Sequence, residues 1–452
     1  MPPSSRVAHG RLRSRRLVHV VSPNFTATMR TPFFSITLLS ALATLSAANE
    51  KPKAISVSEL VSRALEANPE VRFYEAEIAH ARATRSTAGR PSNPELSLEI
   101  GRKRVSSSDA RSNGLAFSAE LAQPLEWPGR LGLRKAIANR DITLAELGLE
   151  RFRFHLASRV RVLATTLAAQ QDISAAAEEV ATRHSALRDV LVQREPAGIA
   201  PQLEVVTVEA AALVAESHAA TAAVAVQTAL LELNQLMGRR PDTPIVVERS
   251  SFSLKAVPSL NQLLSAAMQN HYDLRILHAE LEQQGFKVEL AKNERYPAIV
   301  VGPFVERANG LEDETTGGIG ISLPLPFWKS GKAEVTAAEA RQTQAQASLG
   351  VAQREVERQV TESMLMFKTQ QSRISLWKGD AVAKFGEAAA LADRHFRLGA
   401  VPMSTFVELQ DKYLEAVEAV NEARAQTLEA ALKLEELTGA PGTLVILNSS
   451  KP

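Results

Sequence analysis

Two stretches of this chain lack proline for far longer than an ordinary helix lasts. One is the 67 residues between Pro128 and Pro196, the other the 75 between Pro326 and Pro402. Both are rich in Ala, Glu, Arg, Gln and Leu, which lose little on entering a helix. A helix of ~65 residues is ~100 Å long at ~1.5 Å per residue. Such a rod does not fit inside a compact globule and has to lie lengthwise against other rods. The apolar pattern agrees. Leu156, Val160, Leu163 and Leu167 recur at steps of three and four. After the second stretch, Phe406, Leu409, Tyr413, Ala416, Val420, Ala423, Thr427, Ala430, Leu434 and Leu437 keep that coiled-coil rhythm. An ordinary antiparallel helical bundle would show the same helices.

The chain also repeats itself. LVSRALEANPEVRFYEAEIA from Leu60 aligns with LLSAAMQNHYDLRILHAELE from Leu263, at an offset of 203. Leu60 falls on Leu263, Ala64 on Ala267, Arg72 on Arg275 and Glu77 on Glu280. Pro94 falls on Pro297, and with small insertions Pro124-Leu125 falls on Pro324-Leu325 and Gly129-Arg130 on Gly331-Lys332. Gly198 and Pro201 fall on Gly399 and Pro402, and Gly238 on Gly439. Internal repetition on this scale sets the architecture. Each copy predicts a short amphipathic helix (57–88 and 260–293), two strands, a very long helix, a Gly-Pro break and a shorter helix. The expected division is an N-terminal extension with signal peptide (1–47), a first repeat (56–238), a linker (239–258), a second repeat (259–439) and a C-terminal tail (440–452).

The strands discriminate further. In 93–101, Leu96, Leu98 and Ile100 alternate with Glu95, Ser97 and Glu99; in 115–121, Leu115, Phe117, Ala119 and Leu121 alternate with Ala116, Ser118 and Glu120. The second copy places Ile319, Ile321, Leu323 and Leu325 against Gly320, Ser322 and Pro324. Period two gives one wet face and one apolar face. That pattern fits a membrane-barrel strand and equally a soluble hairpin packed on helices. The polar stretches 102–113 and 307–316 read as exposed loops. Four strands cannot enclose an aqueous lumen, and lipid tolerates no open edge. If these strands enter a membrane, several chains combine, and three copies supply twelve strands. Trp127, Phe327 and Trp328, where strands give way to helices, suit an interfacial aromatic belt.

Composition sets the remaining bounds. The formal charge of +2 includes six arginines in residues 1–47, where no acid occurs, so the remainder is −4. A mildly acidic body argues against nucleic-acid binding. The absence of cysteine excludes disulfides, thiolate metal sites and a lipidated N-terminal cysteine. From Met29, a positive residue, an apolar run over 33–45 and small residues Ser46-Ala47-Ala48 follow the order of a signal peptide, with an uncleaved anchor as the alternative.

The duplicated helix-strand-strand-long helix plan, the QPLEWPGRLGLR stretch from Gln123, the LPLPFWKSGKAEV stretch from Leu323 and two Gly-Pro helix tips together resemble the TolC-like outer-membrane efflux protein family. The resemblance covers about Ser56 to Gly439. The two junction stretches are most similar to the branch serving cobalt-zinc-cadmium and copper-silver exporters. It implies an α+β membrane protein with a long antiparallel α-helical coiled-coil barrel. Four β-strands per chain join a trimeric twelve-stranded transmembrane β-barrel. It also implies a homotrimer in the outer membrane of a Gram-negative bacterium with a large periplasmic part. The implied partners are outer-membrane lipid, a periplasmic adaptor and an inner-membrane pump of the resistance-nodulation-division class.

No GxSxG, HExxH, P-loop or GxGxxG occurs in a fitting context, so no catalysis, cofactor or metal site is expected. His271 and His278 are expected as ordinary surface or interface residues. The helix breaks at REPAGIAPQ and RHFRLGAVPM are turns in which glycine permits the bend and proline starts the next helix. The resemblance implies that these tips dock the adaptor, through Arg194, Gly198, Pro201, Arg394, Arg397, Gly399 and Pro402. It places a periplasmic gate at Glu204, Glu408 and Asp411, with Thr405 where relatives often carry an acid. Plain solvated helix ends would look the same. The expected function is a passive exit duct for heavy-metal cations or small toxic compounds. The alternative is a periplasmic coiled-coil scaffold that never enters lipid.

Overall fold

The computed structural model describes residues 54–106, 111–194, 202–248, 250–310, 312–325, 327, 330–377 and 380–449. The chain divides into units of residues 1–50 and 51–452, and all described residues belong to the second. The expected signal peptide lies outside the described residues.

The first half runs α1 (Val57–Ala67), α2 (Pro69–Ala88), β1 (Glu95–Ser106), β2 (Arg111–Leu125), α3 (Arg130–Arg194) and α4 (Gln202–Leu236). After β3 (Ser250–Leu254) the second half runs α5 (Leu260–Asn270), α6 (Tyr272–Glu294), β4 (Ile299–Ala308), β5 (Glu314–Ser322), α7 (Lys332–Leu376), α8 (Ala381–Arg397) and α9 (Met403–Thr438), with β6 (Val445–Ser449) last. α1 and α5 each have 11 residues.

Three expectations need correction. Each short amphipathic helix is two helices. Asn68 breaks the first: Pro69 disfavours a helical Asn68, whose Oδ1 then accepts from the Glu70 N–H at 2.8 Å and caps α2. Its Nδ2 donates to the Leu236 carbonyl at 2.9 Å, fastening this break to the end of α4. His271 occupies the matching break between α5 and α6.

Secondly, the second long rod is interrupted. α3 is one helix of 65 residues, ~98 Å at ~1.5 Å per residue. Its counterpart is α7, of 45 residues, and α8, of 17. Trp377 ends α7 in an extended conformation with ψ 106°, and Asp380 precedes α8. The sequence Trp377-Lys378-Gly379-Asp380 carries a helix breaker and a capping-type residue but no proline, so the absence of proline overstated continuity.

Thirdly, the stretches taken as loops are largely strand. Arg102, Lys103, Arg104, Val105 and Ser106 pair with Leu115, Gly114, Asn113, Ser112 and Arg111. Arg307 and Ala308 pair with Thr315 and Glu314. Charged residues on these strand ends find partners: Lys103 forms an ion pair with Glu314, and Arg104 Nε donates to Asn113 Oδ1 at 3.1 Å.

The core follows the heptad positions. Leu156, Val160 and Leu167 on α3 bury against Leu60, Val61, Leu233 and Met237. Val360 and Phe367 on α7 bury against Leu428, Leu434 and Leu437 on α9. Alanine dominates the middle, with Ala176, Ala177 and Ala215 around Val180 and Val417. At the far end Leu187, Leu191, Val205, Val208, Met403 and Phe406 close a tip core. Each large side chain so buried contributes ~1.5–3 kcal/mol.

A second sheet joins β3 to β6 in antiparallel register, so residues 239–258 and the C-terminal segment are stitched together. Beside it, the buried Glu435 carboxylate accepts from the N–H groups of Gly442, Leu444 and Val445 at 3.0, 2.7 and 3.1 Å. Asn234, at the corresponding place before the end of α4, instead donates Nδ2 to the carbonyls of Pro241 and Thr243 at 3.0 and 2.8 Å.

Candidate functional site

The four-stranded sheet has the order β1-β2-β4-β5, all antiparallel. Register sorts its residues onto two faces. Leu96 opposes Leu121, Ile100 opposes Phe117, Ala119 opposes Val305, and Val301 opposes Ile321. On this face Leu96, Ile100, Ile319 and Ile321 are 65, 80, 73 and 73% exposed. So large an apolar surface is too costly to leave against water. The other face carries Glu99, Ser118, Glu306 and Thr316 in one row across all four strands.

Lys103 on β1 and Glu314 on β5 form an ion pair across that polar face. Those strands are the two edges, three steps of ~4.8 Å apart on a flat sheet. Closing the pair therefore requires the sheet to curl, with the polar face concave and the apolar face convex. Among the described residues both edge strands pair on one side only.

Where strands meet helices, Trp127 stacks on Tyr296 with centroids 4.9 Å apart and planes at 13°. Phe327 is exposed; Trp328 lies outside the described residues. Below them Arg130, the first residue of α3, is buried. Its guanidinium donates to Asn293 Oδ1, the Asn293 carbonyl and the Tyr296 carbonyl at 3.0, 3.0 and 2.6 Å. Asn293 Nδ2 returns a bond to the Pro128 carbonyl at 2.9 Å. The two halves are thus locked where the sheet begins. The Gly129-Arg130 pattern marked this junction in sequence, but nothing marked Asn293 or Tyr296 as its partners.

At the opposite end, Gly198 and Pro201 lie outside the described residues, and Arg194 is the last residue of α3. The second tip is fully described. α8 ends at Arg397, and Gly399 turns the chain at φ +70°. The Gly399 N–H donates to the Phe396 carbonyl and the Ala400 N–H to the His395 carbonyl, each at 2.9 Å, a Schellman cap. Pro402 then precedes α9. Arg394 is exposed, Arg397 pairs with Asp393 at 3.1 Å, and Leu398 is exposed at the turn.

Glu408 and Asp411 stand one turn apart on the exposed side of α9, with Thr405 half-buried before them. Glu204 is exposed on a different helix, α4; α4 and α9 both pack along α3. Asp411 is open to solvent as a residue, yet partial burial of its carboxyl raises its pKa from the ordinary value, with His184 pulling it down. His184, on α3, went unremarked in sequence. It is fully buried, edge-on to Phe406 at 5.4 Å and 73°. Burial lowers its pKa and Asp411 opposes that shift.

His278 is exposed, whereas His271 is buried. The break between α5 and α6 places it at the N-cap, where burial lowers its pKa. Among the described residues no group of three or more His, Asp or Glu could hold a metal ion. No described helix is long and apolar enough to cross a membrane.

The family model for outer membrane efflux protein matches the chain twice, over residues 60–239 and 263–440. Comparison with curated proteins finds no match. Among solved structures, CusC, described with transmembrane channel formation, is similar at TM-score 0.67 and 16% identity over 85% of this chain and 92% of that one. The Campylobacter jejuni CmeC outer membrane channel is similar at TM-score 0.66 and 13% identity, covering 94 and 96%. The open state of the Neisseria gonorrhoeae MtrE outer membrane channel gives 0.63 and 18%, covering 85 and 89%. At these identities the likeness is one of fold.

Proposed function

This chain belongs to the outer membrane efflux protein family, and from that premise we propose that it is the outer-membrane exit duct of a tripartite efflux system. Two repeats, residues 56–238 and 259–439, build one subunit. Three subunits close a twelve-stranded barrel through the outer membrane, and their helices continue into the periplasm as a tunnel. Transport through it is passive; an inner-membrane pump of the resistance-nodulation-division class supplies the energy. A periplasmic adaptor docks on the tips around Arg194, Gly198, Pro201, Arg394, Arg397, Gly399 and Pro402. Glu204, Glu408 and Asp411 ring the closable mouth, where threefold repetition multiplies each negative charge.

The observation that carries this reading is the curled sheet. Its convex side is apolar and exposed, its concave side polar, and both edges are open. Lipid suits the convex side, water suits the concave one, and only further strands satisfy the edges. The cargo assigned here is heavy-metal cations, with other small toxic compounds as the wider class. The support is the resemblance of the two junction stretches to the cobalt-zinc-cadmium branch.

Fractionation tests the membrane assignment: the protein should stay with outer membranes through a carbonate wash, and release by that wash would favour the scaffold instead. A deletion strain challenged with metal salts, dyes and antibiotics tests the cargo. Selective sensitivity to cobalt, zinc or cadmium is expected; sensitivity confined to dyes and antibiotics would overturn the metal assignment.

A further inference from the structure

We propose that His184 is an acid-sensitive latch on the seam between α3 and α9: neutral, it keeps the two helices packed next to the tips, and protonated, it drives them apart.

The position is costly in a way that a purely structural residue would avoid. His184 is 0% exposed, and neither Nδ1 nor Nε2 has a hydrogen-bond partner. A neutral imidazole always carries one N–H, so a donor is buried unsatisfied. Phe406 presents to the ring at 5.4 Å, and Leu187, Leu191, Met403 and Phe406 form the surrounding tip core. Leucine or phenylalanine would fill such a site without the penalty. A second proton would place a full charge in this apolar seam, which packing cannot accommodate.

The charged groups nearby do not remove that penalty. On α3, Arg183 is engaged by Glu179 and Gln410, and Arg188 by Asp189 and Glu216 of α4. On α8, Asp393 is taken by Arg397, and Arg394 is exposed. On α9, Lys412 pairs with Glu415, and Glu408 is exposed. Among the described residues Asp411 acts on the ring, and it favours the protonated form less than burial disfavours it.

The sign follows. With the seam packed, His184 titrates below its ordinary value; with the seam open, it returns toward ~6.5. Stability that the neutral ring gives the packed seam is therefore present above ~6.5 and lost as pH falls toward the lowered value. Asp411 acts in the opposite sense, since a carboxyl whose pKa is raised by burial favours packing when protonated. Mild acid consequently opens the seam. Its meaning for transport rests on the tips being the closable mouth proposed above; the latch itself does not.

The chain has no cysteine, so spin labels can be placed at will. In full-length protein in lipid nanodiscs, labels on Ala186→Cys and Ser404→Cys report the α3–α9 separation by pulsed electron resonance. From about pH 7.5 to about pH 4.5 a longer distance should appear, its population rising at most ~tenfold per pH unit. His184→Phe and His184→Leu should hold the short distance throughout. Asp411→Asn, which leaves the core intact but removes the charge that favours the protonated ring in the packed seam, should make acid opening more complete, with an onset no lower than in the wild type. A single distance in the wild type over that range, or the same longer distance in both His184 variants, would overturn the latch. Membrane fractionation decides the channel reading separately, so either idea can fail alone.

Discussion

At the scale of single residues, the strongest local commitments are buried polar groups satisfied over long sequence distances. Arg130 bonds to atoms 163 and 166 positions away. Replacing it with alanine removes three charge-assisted bonds and strands two carbonyls. The expected loss is about 3 kcal/mol, read as a lowered denaturant midpoint in detergent. Glu435→Gln keeps the size but leaves a single acceptor oxygen and turns an amide NH2 toward at least one of the three backbone donors. That change should cost about 1–3 kcal/mol and loosen amide exchange over 442–445 first. These residues were the least legible in the sequence. The Gly129-Arg130 repeat was visible, yet its partners come from the other half of the chain. His271 read as a surface or an interface residue, because nothing local showed that the α5–α6 break turns it inward. His184 sits on a helical face whose neighbours come from α9, so its burial had no local signature either.

At the scale of elements, periodicity carried most of the information. The heptad positions Leu156, Val160, Leu167, Val420, Ala423, Leu434 and Leu437 are all buried, because a rod packed lengthwise repeats the same contact every two turns. The alternation of 95–100 and 115–121 likewise falls on two faces. Boundaries were less legible. β3 and β6 are five residues each, and each pairs with a strand far away in the sequence. The polar ends of β1 and β2 form strand because the ladder continues past the apolar band. Helix ends also allow a direct comparison. Gly399 and Gly439 both have positive φ, +70° and +62°. A Cβ on Gly399 meets nothing within 4 Å, whereas one on Gly439 meets the Asn270 carbonyl oxygen at 2.5 Å. Gly399→Ala should therefore cost only the left-handed penalty, ~1–2 kcal/mol, and Gly439→Ala distinctly more, as paired thermal melts would show. A bulky side chain at Gly399 should reduce efflux-dependent resistance and leave assembly intact, as judged by native mass.

At the scale of the whole molecule, the open edges of β1 and β5 make a specific demand on assembly. A chain carrying Glu99→Cys on β1 and one cysteine scanned through Thr316, Gly318, Gly320 and Ser322, the β5 residues on the same polar face, should oxidise to a covalent ladder. It should end at three subunits in the best register; a ladder that stops at two, or never forms, would contradict a closed barrel. Overall architecture was more legible than its details, since rods, repeats and alternating strands each constrain neighbours over many residues. Subunit number rested on counting strands against the size of a lumen.

The interruption at Trp377 has a further consequence for such an assembly. Duplication alone would surround the axis with six equivalent columns. In the proposed trimer three would be single stiff masts and three would be jointed partway along, with a cavity of about 490 Å³ lined by Trp377, Val382 and Tyr413 beside each joint. Bending is easiest at the joints, so the mouth of the assembly should widen like three petals swinging from a rigid tripod, and not as an iris of six equal blades.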